Sequence, residues 1–281
     1  EQNYSVNAFH MNKGEFYSRD INYKSWGYDN YYGLQDIQKY NDERYVLDRE
    51  LILNKTFYNK IFKQQGTFVN YIITYSPHTP FTTEKEVGKI LAEEKYGKGN
   101  IPKLSEEDCA KMAASETDNM VGLLIQALKD NGLYDNTVIV AYADHYLYTL
   151  DDKSILDKYK ETSNNLINHT PFFIWSSDLG QLTSISKVNI QMDILRTVLN
   201  LFGIDYNSNN YIGHDILSND FKGYAFFSDY SWYDGKVYVE NQQITNGKKM
   251  SKNKLDSMNN LISDVIKKND LTLKYDYFKS K

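Results

Sequence analysis

Cysteine is almost absent from this sequence of 281 residues, since Cys109 is the only one. A single cysteine cannot form an intramolecular disulfide or a cysteine-based metal cluster, so a disulfide-stapled scaffold is excluded. The count does not fix the cellular compartment, because many exported proteins contain no cysteine. Cys109 lies in a helical pattern of apolar residues, and we expect it in the hydrophobic core.

Long apolar runs are missing too. No segment reaches the roughly 18 to 20 apolar residues that a membrane-crossing helix needs. The first residues, EQNYSVNAF, lack the basic region and the apolar core of a signal peptide. We therefore expect any membrane anchor or export signal to lie outside this chain.

The sequence also has no excess of basic residues. It contains 32 Lys and Arg against 37 Asp and Glu, for a formal net charge of −5, and the two signs are interspersed. Because affinity for nucleic acid depends on clustered Lys and Arg, we expect no nucleic-acid partner. A hydrophobic share of 41% with 25% charged residues is typical of a folded globular protein.

What the sequence does contain is an alternation of short apolar runs and longer amphipathic stretches. This alternation predicts an α/β fold, with a mainly parallel sheet and helices on both faces. The predicted strands are residues 5–10, 68–75, 137–143 and 171–175, and the predicted helices are residues 46–64, 105–131 and 191–203.

Two of these elements have clear local signals. The run TVIVAYA (137–143) is typical of a strand buried on both faces of a parallel sheet. Helix 105–131 begins with a capping-type pair, Ser105 and Asp108, and Gly132 follows its last turn. Gly203 similarly ends helix 191–203.

The character of the chain changes near residue 223, where aromatic and polar residues alternate around Asp234 and Gly235. This dipeptide favours a two-residue type I′ hairpin turn. An amphipathic helix is predicted over 255–268. We therefore predict an α/β domain over 1–220 and a small C-terminal subdomain, an antiparallel hairpin and a helix, over 221–281.

Candidate functional residues follow the predicted strands. His10 ends the first strand, His78 follows the second, and Asp144 and His145 follow the third. Ligands of open parallel sheets bind beyond the carboxyl ends of the strands, so these side chains are expected in one pocket. Carboxylate and imidazole suit Mn²⁺ or Zn²⁺. Two ligands are too few by spacing alone, and a helix-capping Asp144 beside a packed His145 is the alternative.

The segment FYSRD (16–20) supplies an aromatic ring and Arg19 shortly after a strand. Together they could hold a phosphate by stacking and by a bidentate guanidinium fork, while a surface ion pair is the alternative. No role is assigned to His169, at the opposite end of a strand from the predicted pocket, or to His214, in a polar loop.

Several segments resemble a known family. The segment AFHMNKGEFYSRDINYKSWGYDNYYG is similar to the pattern FH…FWNRD..YK.GYD.FFD of the sulfatase-like lipoteichoic acid synthases and phosphoglycerol transferases, within the alkaline phosphatase superfamily. YIITYSPHTPF is similar to the strand end TxSxHxPF of that family. The stretch that ends in VIVAYADHY resembles its helix, strand and DH motif, and QMDILRTVLNLFGI resembles a later helix. The resemblance spans residues 5–217.

The resemblance implies roles for particular residues. Asp144 and His145 would be metal ligands, with Mn²⁺ the usual ion. His10, Tyr17, Arg19 and His78 would line a pocket for the phosphoglycerol head group. Three positions depart from the family: Tyr17 replaces Trp, and Ala143 and Leu147 replace Gly, which leaves the exact head group open.

The family also has a Thr nucleophile and an acidic metal ligand upstream of the FH strand, at which this chain begins. We therefore expect the catalytic nucleophile to lie outside the chain. The chain is then either the C-terminal part of a longer, membrane-anchored enzyme or a fragment that binds without turnover. Nothing marks Thr74, Ser76 or Thr79 as a replacement nucleophile.

The function implied by the resemblance is a metal-dependent transfer of glycerol phosphate. It would move from phosphatidylglycerol to a glycerol-phosphate polymer or glycolipid acceptor at the extracellular face of the cell membrane. Two alternatives remain: a sulfatase or phosphodiesterase on the same scaffold, and a catalytically incomplete binding module.

Overall fold

The computed structural model describes residues 3–37 and 47–279. The chain groups into two compact units, residues 1–180 and 181–281. The domain division near residue 220 that the sequence suggests stays a prediction. In the described ranges, no helix combines the length with the apolar character that a bilayer crossing requires.

The first unit contains a parallel sheet of three strands in the order β2-β1-β3. The strands are β1 (Ser5–His10), β2 (Asn30–Tyr32) and β3 (Phe68–Ile73). The centre of β1 is fully buried at Ala8 and Phe9. This parallel sheet and the helices around it confirm the predicted α/β fold.

The helices of the first unit follow the amphipathic stretches. They are α1 (Arg19–Ser25), α2 (Glu50–Leu53), α3 (Lys55–Phe62), α4 (Glu86–Tyr96), α5 (Glu106–Asp130) and α6 (Ser154–Tyr159). Apolar residues of α2, α3 and α5 form one buried cluster with Phe9, in which Phe57 is fully buried. This cluster covers one face of the parallel sheet.

The single helix predicted over 46–64 is wrong, because the chain forms α2 and α3 with a break between them; residue 46 lies outside the described residues. Asn54 is extended at the break, with a ψ of 122°, and its side chain accepts a hydrogen bond from the Thr56 amide. The Asn54 side chain serves as a hydrogen-bond partner for the first turn of α3, in place of a backbone carbonyl. The extended backbone that this requires at Asn54 ends α2.

Helix α5 confirms its prediction within one residue at either end. The Ser105 hydroxyl accepts a hydrogen bond from the Asp108 amide at 3.1 Å, and the Asp108 carboxylate accepts one from the Ser105 amide in return. Gly132 has a φ of +66°, the left-handed conformation that ends a helix.

The second pair of strands differs from its prediction. β4 (Val138–Tyr142) and β5 (Phe172–Ser176) pair antiparallel and form a two-stranded sheet. The residues of β4 are half-buried or exposed, and Tyr142 keeps 37% of its surface. The prediction of a parallel strand buried on both faces is therefore wrong, since β5 is its one partner among the described strands.

The second unit begins with α7 (Met192–Leu201) and ends with α8 (Lys252–Lys274). Between them lies a four-stranded antiparallel sheet of β6 (Ala225–Phe226), β7 (Trp232–Tyr233), β8 (Val237–Glu240) and β9 (Gln243–Gly247). Trp232 is fully buried, and its Nε1 donates to Asn259 Oδ1 on α8 at 2.8 Å. Helix α8 thereby packs on this sheet.

The hairpin predicted at Asp234 and Gly235 is present, but the two-residue type I′ turn is wrong. Residues 234–236 connect β7 to β8, and Gly235 has a φ of +85°. Asp234 Oδ1 accepts hydrogen bonds from the amides of Lys236 and Val237. The carboxylate therefore holds the turn together with the backbone hydrogen bond from the Asp234 amide to the Val237 carbonyl oxygen.

Candidate functional site

Three histidines lie in a row beyond the ends of the strands. Because β1 and β3 are parallel and His10 is in register with Ile73, their carboxyl ends adjoin. The His10 ring lies 5.9 Å from the Tyr75 ring, which stacks on His78 at 6.5 Å. His78 in turn contacts His145 edge to face at 6.3 Å. The structure thus brings together imidazoles that are up to 135 positions apart in the sequence.

His10 is the buried member of this row, with 4% of its surface exposed. Its Nδ1 hydrogen-bonds to the Ile73 carbonyl oxygen at 2.9 Å, and since a carbonyl can only accept, Nδ1 carries the proton. Burial lowers the pKa of His10 to about 4 against the effect of that hydrogen bond, and Arg19 and His78 lower it further. His10 is therefore neutral near pH 7, and its Nε2 is an acceptor.

Asp144 and His145 are at the exposed end of the row. The Nδ1 of His145 hydrogen-bonds to the Tyr146 carbonyl oxygen at 2.7 Å, which places the proton on Nδ1. Its Nε2 lies 3.6 Å from Asp144 Oδ1. The Tyr146 carbonyl is the kind of partner that orients a metal-binding histidine and leaves its second nitrogen available.

A carboxylate and an imidazole on adjacent residues fit Mn²⁺ or Zn²⁺ by donor type. A complete shell takes roughly four to six donors. Among the residues that the structure describes, no group of three or more His, Cys, Asp or Glu side chains is arranged to hold a metal ion. Asp144 and His145 therefore fit as one part of a coordination shell.

Arg19 begins α1 after a strained turn. Tyr17 and Ser18 have φ values of +56° and +52°, in the left-handed region that non-glycine residues rarely adopt. The turn places the rings of Phe16 and Tyr17 at 5.9 and 5.8 Å from the Arg19 guanidinium carbon, and Tyr17 is 73% exposed. Such strain is often found at binding sites, where the surrounding structure holds it.

The alternative interpretation of Arg19, a surface ion pair, has no support in residues 3–37 and 47–279, where no acidic side chain pairs with it. Its Nη1 is buried and has no hydrogen-bond partner in those ranges. A buried guanidinium nitrogen without an acceptor is costly, so Nη1 requires a partner, either a ligand or a neighbouring side chain.

Sequence reasoning missed Asp48, which is fully buried. Its two oxygens accept hydrogen bonds from the amides of Tyr75 and Ser76, at 2.7 and 3.0 Å, and from the Thr117 hydroxyl at 2.9 Å. Burial raises the pKa of Asp48, and these hydrogen bonds act against the rise. Asp48 thus fixes the turn after β3 that carries His78, and no motif around it signals this role.

Two other observations concern residues considered from the sequence. Ser76 is fully buried and its hydroxyl accepts a hydrogen bond from the Asp48 amide, so it has a structural partner and not the exposure of a nucleophile. His169 is exposed. Because β5 is antiparallel to β4, the start of β5 adjoins the end of β4 before Asp144, so the predicted position of His169 at the opposite end from the pocket is wrong. In the second unit, His214 Nδ1 lies 3.6 Å from Asp193 Oδ1.

Comparison with known proteins gives one family and a consistent set of relatives. The family model described as Sulfatase matches residues 1–204. The chain is 30% identical to a lipoteichoic acid synthase of Staphylococcus saprophyticus, over 98% of this chain and 44% of that protein. It is 29% identical to a lipoteichoic acid synthase of Staphylococcus aureus, over 87% of this chain and 39% of that protein. The chain thus spans about two fifths of the length of these relatives.

Two solved structures have a similar fold. The lipoteichoic acid synthase LtaP from Listeria monocytogenes has a TM-score of 0.78 at 22% identity, over 96% of this chain and 70% of that one. A protein in the alkaline phosphatase superfamily from Vibrio parahaemolyticus has a TM-score of 0.68 at 16% identity, over 95% and 66%. At these identities the likeness shows the fold alone.

Proposed function

The chain belongs to the sulfatase family, and from this membership we propose that it forms part of a metal-dependent phosphoglycerol transferase similar to the lipoteichoic acid synthases. The substrate is phosphatidylglycerol, and the acceptor is a glycerol-phosphate polymer or a glycolipid of the cell envelope. The reaction takes place at the extracellular face of the membrane, to which a segment outside this chain anchors the protein.

The observation that carries this proposal is the convergence of His10, His78 and His145 beyond the strand ends, with Asp144 and Arg19 beside the row. Phosphoryl transfer depends chiefly on positioning and on electrostatic stabilisation of the phosphoryl oxygens. A guanidinium, two further imidazoles and one pair of metal ligands are groups of the required kind.

Each residue then has a defined task. Asp144 and His145 would hold part of the shell of a divalent ion, with Mn²⁺ the proposed metal. When bound, this ion would lower the pKa of a nucleophilic hydroxyl and offset charge on the phosphoryl group. Arg19 binds a phosphoryl oxygen through charge-assisted hydrogen bonds. Neutral His10 accepts a hydrogen bond from a head-group hydroxyl. The nucleophile and the remaining ligands belong to the longer protein.

The roles of Tyr17 and His78 complete the pocket. The exposed Tyr17 ring lies close to the Arg19 guanidinium and covers the glycerol part of the head group. His78 lies between Tyr75 and His145, and its Nδ1 hydrogen-bonds to the Thr79 carbonyl oxygen at 2.9 Å, so its Nε2 accepts a hydrogen bond from a head-group hydroxyl. Asp48 acts at a distance, since it holds the turn that carries His78.

A hydrolase is the second candidate, because the matching family model is that of sulfatases. Water would then replace the glycolipid or polymer hydroxyl as acceptor. The products separate the two reactions: transfer extends the acceptor by one glycerol phosphate, whereas hydrolysis releases free glycerol phosphate. A binding module without turnover is the third candidate, favoured by the incomplete metal shell of the described residues.

The proposal is tested on the longer protein with Mn²⁺ and phosphatidylglycerol in vesicles that contain a glycolipid acceptor. We expect release of diacylglycerol with equal extension of the acceptor, and loss of both in His145→Ala. His214→Ala, at the histidine of the second unit, which has no proposed role, is the control and keeps the activity. Absence of diacylglycerol release from the wild-type protein at any Mn²⁺ concentration contradicts the proposal.

A further inference from the structure

Arg19 and Tyr31 present two buried polar atoms that have no partner. Arg19 Nη1 and Tyr31 Oη are both inaccessible to solvent, and neither has a hydrogen-bond partner within residues 3–37 and 47–279. Tyr31 lies in the middle of β2, with 7% of its surface exposed. Unpaired buried groups of this kind are rare, so two on neighbouring side chains require an explanation.

The two side chains act on each other. Burial raises the pKa of Tyr31 to about 12, while the charge and the hydrogen-bonding capacity of Arg19 lower it. The Tyr31 ring also lies against the start of α1, because a Cβ built on Gly14 would be 3.4 Å from Tyr31 Cε1 and 3.0 Å from the Cβ of Asp20, the residue after Arg19. The Arg19 and Tyr31 pair nevertheless does not meet hydrogen-bond geometry. A guanidinium can only donate and a phenol oxygen can accept, so Arg19 Nη1 and Tyr31 Oη are complementary.

The surroundings restrict what else Tyr31 could bind. Its ring packs in a cluster of tyrosines with Tyr23 at 5.3 Å, and Tyr23 contacts Tyr28 and Tyr71. Within this cluster the Tyr71 hydroxyl accepts from that of Tyr142. Tyr31 has no such hydroxyl partner among the described residues. Of the charged side chains that act on it, Asp20 and Asp36 can only accept a hydrogen bond, whereas Arg19 can donate one.

The hydroxyl of Tyr31 lies within an aromatic cluster, where the ring alone accounts for the packing. A hydroxyl placed in a buried aromatic cluster costs free energy unless it finds a partner.

We propose that Tyr31 is a positioning residue for Arg19, on the basis of the proposed transferase function. When an anionic phosphoryl group binds the outer edge of the guanidinium, Nη1 donates to Tyr31 Oη at the inner edge. The hydrogen bond to the Tyr31 phenol then fixes the plane of the Arg19 guanidinium. The outer nitrogens of the guanidinium are thereby aligned with the phosphoryl oxygens. Tyr31 raises affinity for the anion and does not contact it.

The test uses glycerol phosphate, the head group alone, and the 281-residue chain. Binding is followed by NMR through the Nε–H signal of Arg19, which responds to the guanidinium itself and not to general stability. Tyr31→Phe keeps the ring and removes only the hydroxyl. We expect its Kd to rise roughly three- to tenfold, the effect of losing one ordinary intramolecular hydrogen bond. Tyr28→Phe, in the same cluster, keeps the wild-type Kd.

A double-mutant cycle separates action through Arg19 from an independent effect. We expect Arg19→Lys to weaken binding, and the addition of Tyr31→Phe to weaken it little further. A lysine ammonium cannot contact the ligand and the phenol at the same time, as the planar guanidinium of Arg19 does. For variants at position 19 the backbone amides of α1 report binding. Additive effects, or an unchanged Kd in Tyr31→Phe, overturn the inference and leave the proposed function standing.

A kinetic measurement on the longer protein gives an independent readout. Tyr31→Phe is expected to raise KM for phosphatidylglycerol and to change kcat less than about twofold. The reason is that the substitution weakens binding of the substrate and of the transition state to the same extent. If the wild-type chain binds neither glycerol phosphate nor inorganic phosphate, and the longer protein has no turnover, the inference and the proposed function both fail.

Discussion

His10 shows how a buried position sets the charge of a candidate site residue. The ring is enclosed at the end of β1, with its Nδ1 bonded to Ile73 and with Arg19 and His78 nearby. Desolvation disfavours the protonated form, and two cationic or ionisable neighbours act in the same direction. A residue that is neutral for these reasons also makes the stability of the fold depend on pH.

We predict that the free energy of unfolding rises with pH between about 4 and 6.5. The pKa of His10 falls from 6.5 in the unfolded chain to about 4 in the folded one, so in this window the unfolded chain binds more protons. Since one pKa unit corresponds to about 1.4 kcal/mol, this contribution amounts to about 3 kcal/mol. It is present above pH 6.5 and is lost as the pH falls through 4.

Urea unfolding of the wild type and of His10→Gln at several pH values measures this effect. The variant is expected to have a shallower slope across the window, while His169→Gln, at an exposed histidine, keeps the wild-type slope. Equal slopes in all three proteins would show that His10 is not the group responsible.

At the scale of elements, α4 is held against the loop that follows the site. Gly88 in this helix is buried, and a Cβ atom placed on it would lie 2.1 Å from the Thr82 carbonyl oxygen. The close approach requires glycine, because the obstructing atom belongs to the backbone and cannot rotate away. Gly122 in α5 is exposed, and a Cβ there meets no atom within 4 Å.

We predict opposite effects of the same substitution at these two helical positions. Gly88→Ala is expected to destabilise the chain by about 1 to 3 kcal/mol, because α4 must shift away from Thr82. Gly122→Ala is expected to stabilise it by roughly 0.5 to 1 kcal/mol, since alanine is the better helix former. Urea unfolding of both variants measures the difference, and a stabilising effect of Gly88→Ala would contradict the packing described for α4.

At the scale of the whole molecule, each compact unit has a core of its own. In residues 1–180 the cluster around Phe9 and Phe57 joins the parallel sheet to α2, α3 and α5. In residues 181–281 Trp232, Val239 and Ile262 join the antiparallel sheet to α8. Large apolar side chains at the centre of each cluster therefore offer separate probes of the two units.

We predict that truncation of either core acts on its own unit. Trp232→Ala and Phe57→Ala each remove a fully buried aromatic ring, at a cost of roughly 3 to 5 kcal/mol. Amide hydrogen exchange is expected to accelerate in β7, β8 and α8 for the first variant, and in β1, α3 and α5 for the second. Uniform acceleration along the entire chain in both variants would contradict a division into two cores.

The sequence by itself determined the elements that have a strong local signal. Strand β1, helix α5 with its Ser105 cap and Gly132 stop, and the end of α7 at Gly203 all agree with their patterns. The alternation of these elements was sufficient for the α/β class. It also placed histidines and an aspartate after successive strands, because side-chain periodicity and capping depend on residues only a few positions apart.

The tertiary structure decided which distant residues meet. The antiparallel partner of β4, the carboxylate of Asp48 on the turn after β3, and the approach of Arg19 to Tyr31 have no counterpart in local patterns. The pKa of His10 likewise follows from burial that neighbouring residues in the sequence do not reveal. Such features arise when elements far apart in the chain pack together, since only then are polar groups desolvated and forced to find partners.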